Sequence, residues 1–169
     1  RINPTAPRDS AGATVATAPA ASSAGIDSGS IAVRADATWL DRAARLTSIP
    51  PRALAAYAGA ALAAGETYPE CGLGWNTIAG IGWVETHHGT IFEGAITAEG
   101  RAEPEIIGIP LNGEGTLVVR DTDAGALDRD AVWDRAVGPM QFIPSTWALF
   151  GVDGSGNGVA DPHHIDDAA

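Results

Sequence analysis

The stretch "WNTIAGIGWVETHH", residues 75–88, decides how the rest of the chain is interpreted. Residues recur along it at steps of three and four, the spacing that places side chains on one face of an α-helix. The members of this face are Trp75, Ile78, Ile81 or Gly82, and Glu85. The spacing predicts a helix whose last turn carries Glu85 on the same buried stripe as Ile78 and Ile81.

Glu85 is an unusual acid for such a position. Helix C-termini carry partial negative charge, which disfavours a carboxylate nearby. Burial among apolar neighbours also disfavours the charged form. We therefore expect Glu85 to hold its proton near neutral pH, as general acid catalysis of a glycosidic bond requires. The alternative is an ordinary helix-end acid that turns to solvent or pairs with an arginine.

A second motif, "AVGPMQFIPSTW" at residues 136–147, is a loop that enters a helix at about Pro144, because the residue before a proline avoids helical geometry. Gln141 offers an amide donor and acceptor that suit sugar hydroxyl and N-acetyl groups. Met140 and Phe142 are candidates for an apolar platform under a sugar ring. The alternative is a tight turn whose aromatic residues belong to the core.

Helical spacing and turn residues predict the other elements. They are a helix over 38–48, a helix over 49–66, and a β-hairpin with strands at 105–111 and 116–121 joined by Asn112-Gly113. Pro51 suits the first position of the second helix and Gly65 its C-terminal cap. The fold class predicted is α+β and predominantly helical.

The composition limits the classes of function. The 169 residues include 10 Lys and Arg against 21 Asp and Glu, which gives a formal net charge of −11. Such a chain would be repelled by phosphate backbones, so nucleic acid is excluded as a partner. No apolar stretch is long enough for a transmembrane segment. A single cysteine, Cys71, excludes an internal disulfide framework.

The first 35 residues are rich in Ala, Pro, Ser and Thr and poor in large apolar residues. They bury too little surface to offset their ordering entropy, so we predict a disordered linker over 1–35 and one folded domain over 36–169. Because the chain begins with Arg1 and stops at "HHIDDAA", we expect a processed piece whose C-terminal end is truncated.

The two motifs together, "GWVETHHG" and "AVGPMQFIPSTW", resemble the lytic murein transglycosylases of the membrane-bound B type, in an actinobacterial variant. The resemblance covers about residues 36–169. It implies a lysozyme-like domain with a small β-hairpin lobe. It also implies that Glu85 is the sole catalytic acid/base and that Gln141 contacts the substrate.

The activity implied by the resemblance is cleavage of the β-1,4 bond between N-acetylmuramic acid and N-acetylglucosamine in peptidoglycan, with a 1,6-anhydro product and no cofactor. It further implies an exported, extracellular or wall-associated monomer whose partners are glycan strands. One alternative is a hydrolytic muramidase in which Glu93, Asp121 or Asp134 positions water. Another is a non-catalytic module that binds peptidoglycan.

A third candidate site is the loop "DGSGNGVADPHHIDD". Its oxygen donors follow the one-three-five-seven spacing of calcium loops, with glycine at position six. The candidate ligands are Asp153, Ser155, Asn157, the carbonyl of Val159, and Asp167. His164 stands at position twelve, where the usual loop has glutamate, so we expect weak calcium binding or none. A polar turn that caps a helix explains the loop equally well.

Two further residues are candidates for contact with the substrate. His88 lies close to Glu85 in the chain and is expected to tune the acid or to touch a sugar, whereas His87 is expected at the surface. Trp133, beside the glutamine loop, is the tryptophan most suited to stacking on a sugar ring. The histidines lack the spacing of a zinc site.

Overall fold

The computed structural model describes residues 15–22 and 29–169. Its α-helices are α1 (Ala37–Thr47), α2 (Pro51–Thr67), α3 (Trp75–Thr86), α4 (Pro144–Phe150) and α5 (Ile165–Ala168). Its strands are β1 (Ala95–Ile96) and β2 (Ala102–Glu103), and short 3-10 turns cover Ile31–Val33, Pro69–Cys71 and Ile91–Glu93. In the described part of the chain, every helix is too short or too polar to cross a membrane.

Helix α2 is the centre of the core. It begins at Pro51, as predicted, because proline needs no hydrogen-bond acceptor at the first helical position. The prediction that Gly65 ends the helix is wrong. The N–H of Tyr68 donates to the carbonyl of Ala64 at 2.7 Å, so the helix continues through Gly65 to Thr67.

Small residues let α2 and α3 approach each other closely. Ala53, Ala56 and Tyr57 on α2 are fully buried, in the cluster that also contains Ile78 and Ala79 of α3. A Cβ placed on Gly82 of α3 would lie 2.2 Å from the Tyr57 hydroxyl oxygen, so only glycine fits there. Ile78, Met140, Trp147 and Ile165 complete this core from other elements.

The buried face of α3 differs from the predicted one. Ile78 and Gly82 are buried as expected, and Ala79 and Thr86 complete the face. The prediction that Ile81 and Glu85 share it is wrong, because Ile81 is 46% exposed and Glu85 is exposed. Helix α3 is apolar on almost every side, so the spacing of its large residues does not specify which side packs on α2.

The segment between α3 and α4 supplies the β-structure. Strands β1 and β2 pair antiparallel, with Ala95 opposite Glu103 and Ile96 opposite Ala102. The prediction of strands at 105–111 and 116–121 is wrong in extent: the two segments are joined to each other by one bridge, between Asn112 and Val118, and by a hydrogen bond from Val119 N–H to the Leu111 carbonyl at 2.8 Å. The N–H of Leu111 donates to the Asp134 carbonyl at 3.0 Å, and the Val119 carbonyl accepts the N–H of Asp134 at 3.1 Å, so a third segment takes the hydrogen bonds that would extend this ladder.

Part of the predicted linker is packed on the domain. Ala18 and Ala35 are 5% and 3% exposed, and Ala20 pairs antiparallel with Ala35. Residues 29–35, which we call the strap, lie across α2, where the missing side chain of Gly59 admits the Ile31 carbonyl. The prediction of a structureless segment is therefore wrong for 15–22 and 29–35, while 1–14 and 23–28 lie outside the described residues.

The strap also contacts the end of the described chain. The N–H of Ile31 donates to the Gly154 carbonyl at 2.8 Å, and the Ser30 hydroxyl donates to Asp166 at 2.9 Å. Asp166 in turn accepts two hydrogen bonds from Arg52 of α2, at 2.6 and 2.8 Å. The strap, α2 and the 153–167 loop therefore form one connected unit.

We predict that Gly59→Ala lowers the free energy of unfolding by about 1–3 kcal/mol. The added Cβ would stand 1.9 Å from the Ile31 carbonyl oxygen, which cannot move without releasing the strap. Gly65→Ala in the same helix is the matched control, because its Cβ meets nothing within 4 Å. It should stabilise the protein by up to about 1 kcal/mol. Urea unfolding of both variants measures the difference, and equal effects would contradict the packing described for Gly59.

Candidate active site

Glu85 is the penultimate residue of α3 and its side chain lies in solvent. The helix ends because the chain turns into left-handed backbone at His87 (φ 49°), His88 (φ 62°) and Gly89 (φ 81°). The N–H of His88 donates back to the Gly82 carbonyl at 2.8 Å, which closes the helix. The predicted position at a helix C-terminus is confirmed, and the predicted burial of the carboxyl is wrong.

Thr86 joins the end of α3 to the second motif. Its side chain is fully buried, and its hydroxyl donates to the Pro139 carbonyl at 2.7 Å. The same oxygen accepts the N–H of Gly89 at 2.8 Å. One hydroxyl therefore fixes both the left-handed turn after Glu85 and the loop that carries Gln141.

The second motif is a tight turn between paired residues. Val137 and Phe142 exchange two backbone hydrogen bonds, of 2.8 and 3.0 Å. Gly138 has φ 77°, and a Cβ there would lie 1.8 Å from the Pro162 carbonyl oxygen. Glycine is therefore required for both conformation and space. Helix α4 follows at Pro144, as predicted.

Gln141 holds a conformation that is uncommon for residues other than glycine, with φ 54°. Its side-chain amide nitrogen donates to the Gly138 carbonyl at 3.0 Å, within its own turn. The side chain is half-buried. Because the amide nitrogen supports the turn, the amide oxygen is the better candidate for contact with a ligand.

Met140 and Phe142 do not form an open platform. Met140 is 9% exposed and packs in the core with Tyr57 and Ile78. The ring of Phe142 meets that of Trp147 edge-on, with centroids 5.2 Å apart. The alternative interpretation, a turn with core side chains, describes these positions, and the contact of Met140 with a sugar gains no support from its burial.

His88 is a buried histidine with a polar partner. It is 6% exposed, and its Nδ1 lies 3.3 Å from the hydroxyl oxygen of Tyr57. Burial, and secondarily the nearby His87, lowers the pKa of His88, while burial raises the pKa of Tyr57. At neutral pH both side chains are uncharged, which is the state compatible with their position against the core.

Trp133 is already in contact on one side. The Arg120 guanidinium lies over its ring, 4.0 Å from the centroid, and the two residues pair as an antiparallel bridge. The indole is half-buried. Only its other face is available for a sugar ring, so its stacking role stays a prediction.

The 153–167 loop is organised by two carboxylates. Asp153 accepts the N–H groups of Gly156 and Gly158, each at 2.7 Å, and the hydrogen bond from Gly158 is the leading cause of its lowered pKa. Asp167 accepts the N–H of Ser155 at 2.7 Å and that of Asp161 at 3.0 Å. The loop is thus compact through its own hydrogen bonds, with both predicted acidic ligands directed into it.

His164, Asn157 and Val159 complete the description of this loop. His164 Nδ1 accepts the N–H of Asp166 at 3.2 Å and caps α5, so the residue at position twelve serves the helix. The Asn157 side chain accepts the N–H of Val159 at 2.8 Å. These contacts are those of the polar turn that the sequence offered as the alternative to a calcium loop.

Three carboxylates converge in the segment before the second motif, and the sequence had not grouped them. Oxygens of Asp121, Asp123 and Asp134 lie within 4.8 Å of one another. Asp134 is fully buried and accepts the N–H of Thr122 at 2.8 Å. The spacing of Asp121 and Asp123 was visible in the sequence, but nothing in it indicated that Asp134 folds back onto them.

The chain matches no family model, no curated protein and no solved structure. A function has to be inferred from the residues and their placement. The most informative feature of the structure is that the two sequence motifs are in contact. Thr86, the residue after Glu85, donates a hydrogen bond to the carbonyl of Pro139, which lies two residues before Gln141.

We predict that Thr86→Val destabilises the protein by about 1–3 kcal/mol, chiefly because it leaves the buried Pro139 carbonyl without a donor. Valine keeps the shape but removes the hydroxyl that serves Pro139 and Gly89. Thr86→Ser should retain most of the stability. Thr90→Val is the matched control, because its hydroxyl bonds the His87 carbonyl in an exposed setting. Denaturant unfolding compares the three, and equal losses for Thr86→Val and Thr90→Val would contradict the role of Thr86.

We predict that the free energy of unfolding falls as the pH drops below about 6.5, the pKa of a histidine in an unfolded chain. Burial lowers the pKa of His88 and His163 in the folded state, so unfolding takes up protons in this range. The stabilising contribution of the two neutral histidines is complete above about pH 7. Below that pH the free energy of unfolding falls by up to about 1.4 kcal/mol per pH unit for each proton taken up.

Urea unfolding at a series of pH values tests this dependence. His88→Gln should reduce the slope of stability against pH by about half. His87→Gln, at the neighbouring exposed position, should leave the slope unchanged. An unaltered slope in His88→Gln would show that His88 does not contribute.

Proposed function

We propose that this protein is a lytic transglycosylase that cleaves the β-1,4 bond between N-acetylmuramic acid and N-acetylglucosamine in peptidoglycan, on a lysozyme-like fold. The observation that supports the proposal most is the hydrogen bond between Thr86 and the Pro139 carbonyl, 2.7 Å long. It joins the helix end that carries Glu85 to the tight turn that carries Gln141.

Glu85 is the catalytic residue in this proposal. Its carboxyl lies in solvent, so the protein alone does not desolvate it. A glycan laid over the end of α3 would exclude that water, and the negative end of the helix dipole acts in the same direction. Both effects favour a neutral carboxyl in the complex, which can then protonate the bridging oxygen.

The reaction needs one acid because the substrate supplies the other groups. Glu85 donates its proton to the leaving oxygen as the glycosidic bond breaks, and the N-acetyl group of the muramoyl residue stabilises the positive centre. The Glu85 carboxylate then removes the proton of the C6 hydroxyl, whose oxygen bonds to C1. The product is a 1,6-anhydro sugar, and the acid regains its proton.

Gln141 is the proposed contact for the substrate beside Glu85, through its amide oxygen. The peptidoglycan glycan strand is the proposed partner and the cell wall or extracellular space the proposed location, with the protein acting as a monomer. No cofactor takes part. The oxygens of Asp153 and Asp167 have the chemistry that calcium prefers. Any calcium in their loop would be structural, because the proposed reaction uses Glu85 and the substrate's own groups.

The hydrolytic alternative depends on a second carboxylate. Asp134 is fully buried against Thr122, and Asp121 accepts three backbone N–H groups. Both are occupied in holding the segment together. Glu93 is exposed in a left-handed turn and is the member of the predicted set that remains open to solvent.

We predict that Glu85→Gln abolishes turnover of purified sacculi and leaves the fold intact, because glutamine has the same size and no acidic proton. Glu93→Gln is the matched control and should cleave at nearly the wild-type rate. Mass spectrometry of the released muropeptides reads the chemistry, and 1,6-anhydro ends are expected.

Other results have distinct meanings. Reducing ends, with loss of activity in Glu93→Gln, would replace the proposal by a muramidase. Binding of glycan with no released muropeptides in the wild type would leave a binding module. Wild-type activity in Glu85→Gln would remove Glu85 from its role.

A further inference from the structure

Helix α3 borders a cavity on the side away from Glu85. The cavity has a volume of about 460 Å³, and its principal walls are Trp75, Trp83, His88, Ala79 and Gly80. Along a helix each residue turns by about 100°, so Trp83 and Glu85 point about 160° apart around α3. The cavity is therefore a separate surface from the end of α3 where the cleavage is proposed.

Two indoles are held in place at this cavity. Trp83 is 56% exposed, and its ring lies against that of His87 with centroids 4.5 Å apart. Trp75 meets the ring of Trp39 edge-on at 5.5 Å. The two indoles are about 12 Å apart along the helix axis. An exposed tryptophan fixed by aromatic neighbours presents a rigid apolar surface at low entropic cost.

The polar groups at the cavity are neutral. Asn76 and Ser48 are exposed residues in its lining, and they offer an amide and a hydroxyl. Of the residues in the described chain that line the cavity, none is Asp, Glu, Lys or Arg. Burial lowers the pKa of His88, so this residue is uncharged at neutral pH. Although the whole chain has a formal charge of −11, the lining of this cavity offers no charged side chain that could pair with a charged ligand.

These features select the chemical class of the ligand. The ligand must offer an apolar face to an indole, and hydroxyl or amide groups to neutral polar side chains, without a charge. An N-acetylated sugar meets these requirements, and the volume is within the range of small-molecule sites. We propose that this cavity, between Trp75 and Trp83, is an accessory binding site for N-acetylglucosamine-containing glycan. The choice of this glycan rests on the proposed function. The preference for an uncharged ligand with an apolar face rests on the lining residues alone.

The test is a titration with chitotetraose, a β-1,4-linked oligomer of N-acetylglucosamine, followed by NMR of the tryptophan indole N–H signals. The intact chain contains five tryptophans, so each signal can be assigned by substitution. The signals of Trp83 and Trp75 are expected to shift. Trp83→Ala should weaken binding at this site about tenfold or more, while Trp83→Phe should recover part of it.

A second variant closes the cavity without removing a residue that packs. Gly80 is an exposed helical glycine whose Cβ would meet nothing within 4 Å, so Gly80→Leu should fold and block the site. Gly65→Leu is the matched control, because it adds the same side chain to an open position on α2. Gly80→Leu is expected to abolish the shifts of Trp75 and Trp83, and Gly65→Leu to preserve them.

The outcomes separate this inference from the proposed function. The inference would be overturned if chitotetraose at millimolar concentration left the indole signals of Trp75 and Trp83 unshifted. It would also be overturned if the signal of Trp133 alone shifted. Shifts that persist in Gly80→Leu would overturn it as well. Because chitotetraose contains no N-acetylmuramic acid, binding is measured without turnover. Shifts at Trp83 in a protein that releases no anhydro muropeptides would uphold the accessory site while the proposed function fails.

Discussion

The hydrogen bond from the buried Thr86 hydroxyl to the Pro139 carbonyl is the constraint on which the candidate site depends. It joins segments 53 residues apart in sequence, the end of α3 and the turn at 138–141. Because the same oxygen accepts the N–H of Gly89, it also stabilises the left-handed backbone that ends the helix. A buried hydroxyl with both functions satisfied is costly to replace, since the Pro139 carbonyl would lose the donor that substitutes for water and the Gly89 N–H would keep only the Thr86 carbonyl, at 3.1 Å.

Around this constraint, glycines determine how closely the elements approach. Gly82 leaves room for the Tyr57 hydroxyl, Gly138 for the Pro162 carbonyl and Gly59 for that of Ile31. Each contact sets a distance that no larger residue allows. The result places Glu85 on one side of α3 and the indole of Trp83 on another, with the buried face between them. A helix that is apolar all round can thus present two different surfaces.

The sequence predicts those features that depend on local chemistry. The starts of α2 and α4 follow from Pro51 and Pro144, and Glu85 lies in the last turn of α3, as predicted. Features set by tertiary packing were missed. The spacing left Ile81 and Gly82 as alternatives, and the structure buries Gly82, whose missing side chain admits the Tyr57 hydroxyl, so that Ile81 and Glu85 face solvent. Likewise the small side chains of residues 1–35 predicted no packing, whereas the Ile31 carbonyl of the strap fits where Gly59 leaves space.

The strap has a consequence for the order in which the protein assembles. Its hydrogen bond from Ser30 to Asp166 connects residues 136 positions apart, so forming it closes a very long loop. Such contacts are gained after local ones, because their closure entropy is recovered only when both partners are already in place. Docking of residues 29–35 is therefore expected to be a late step in folding and an early one in unfolding, with the Ile31 amide exchanging its hydrogen well before those of α2.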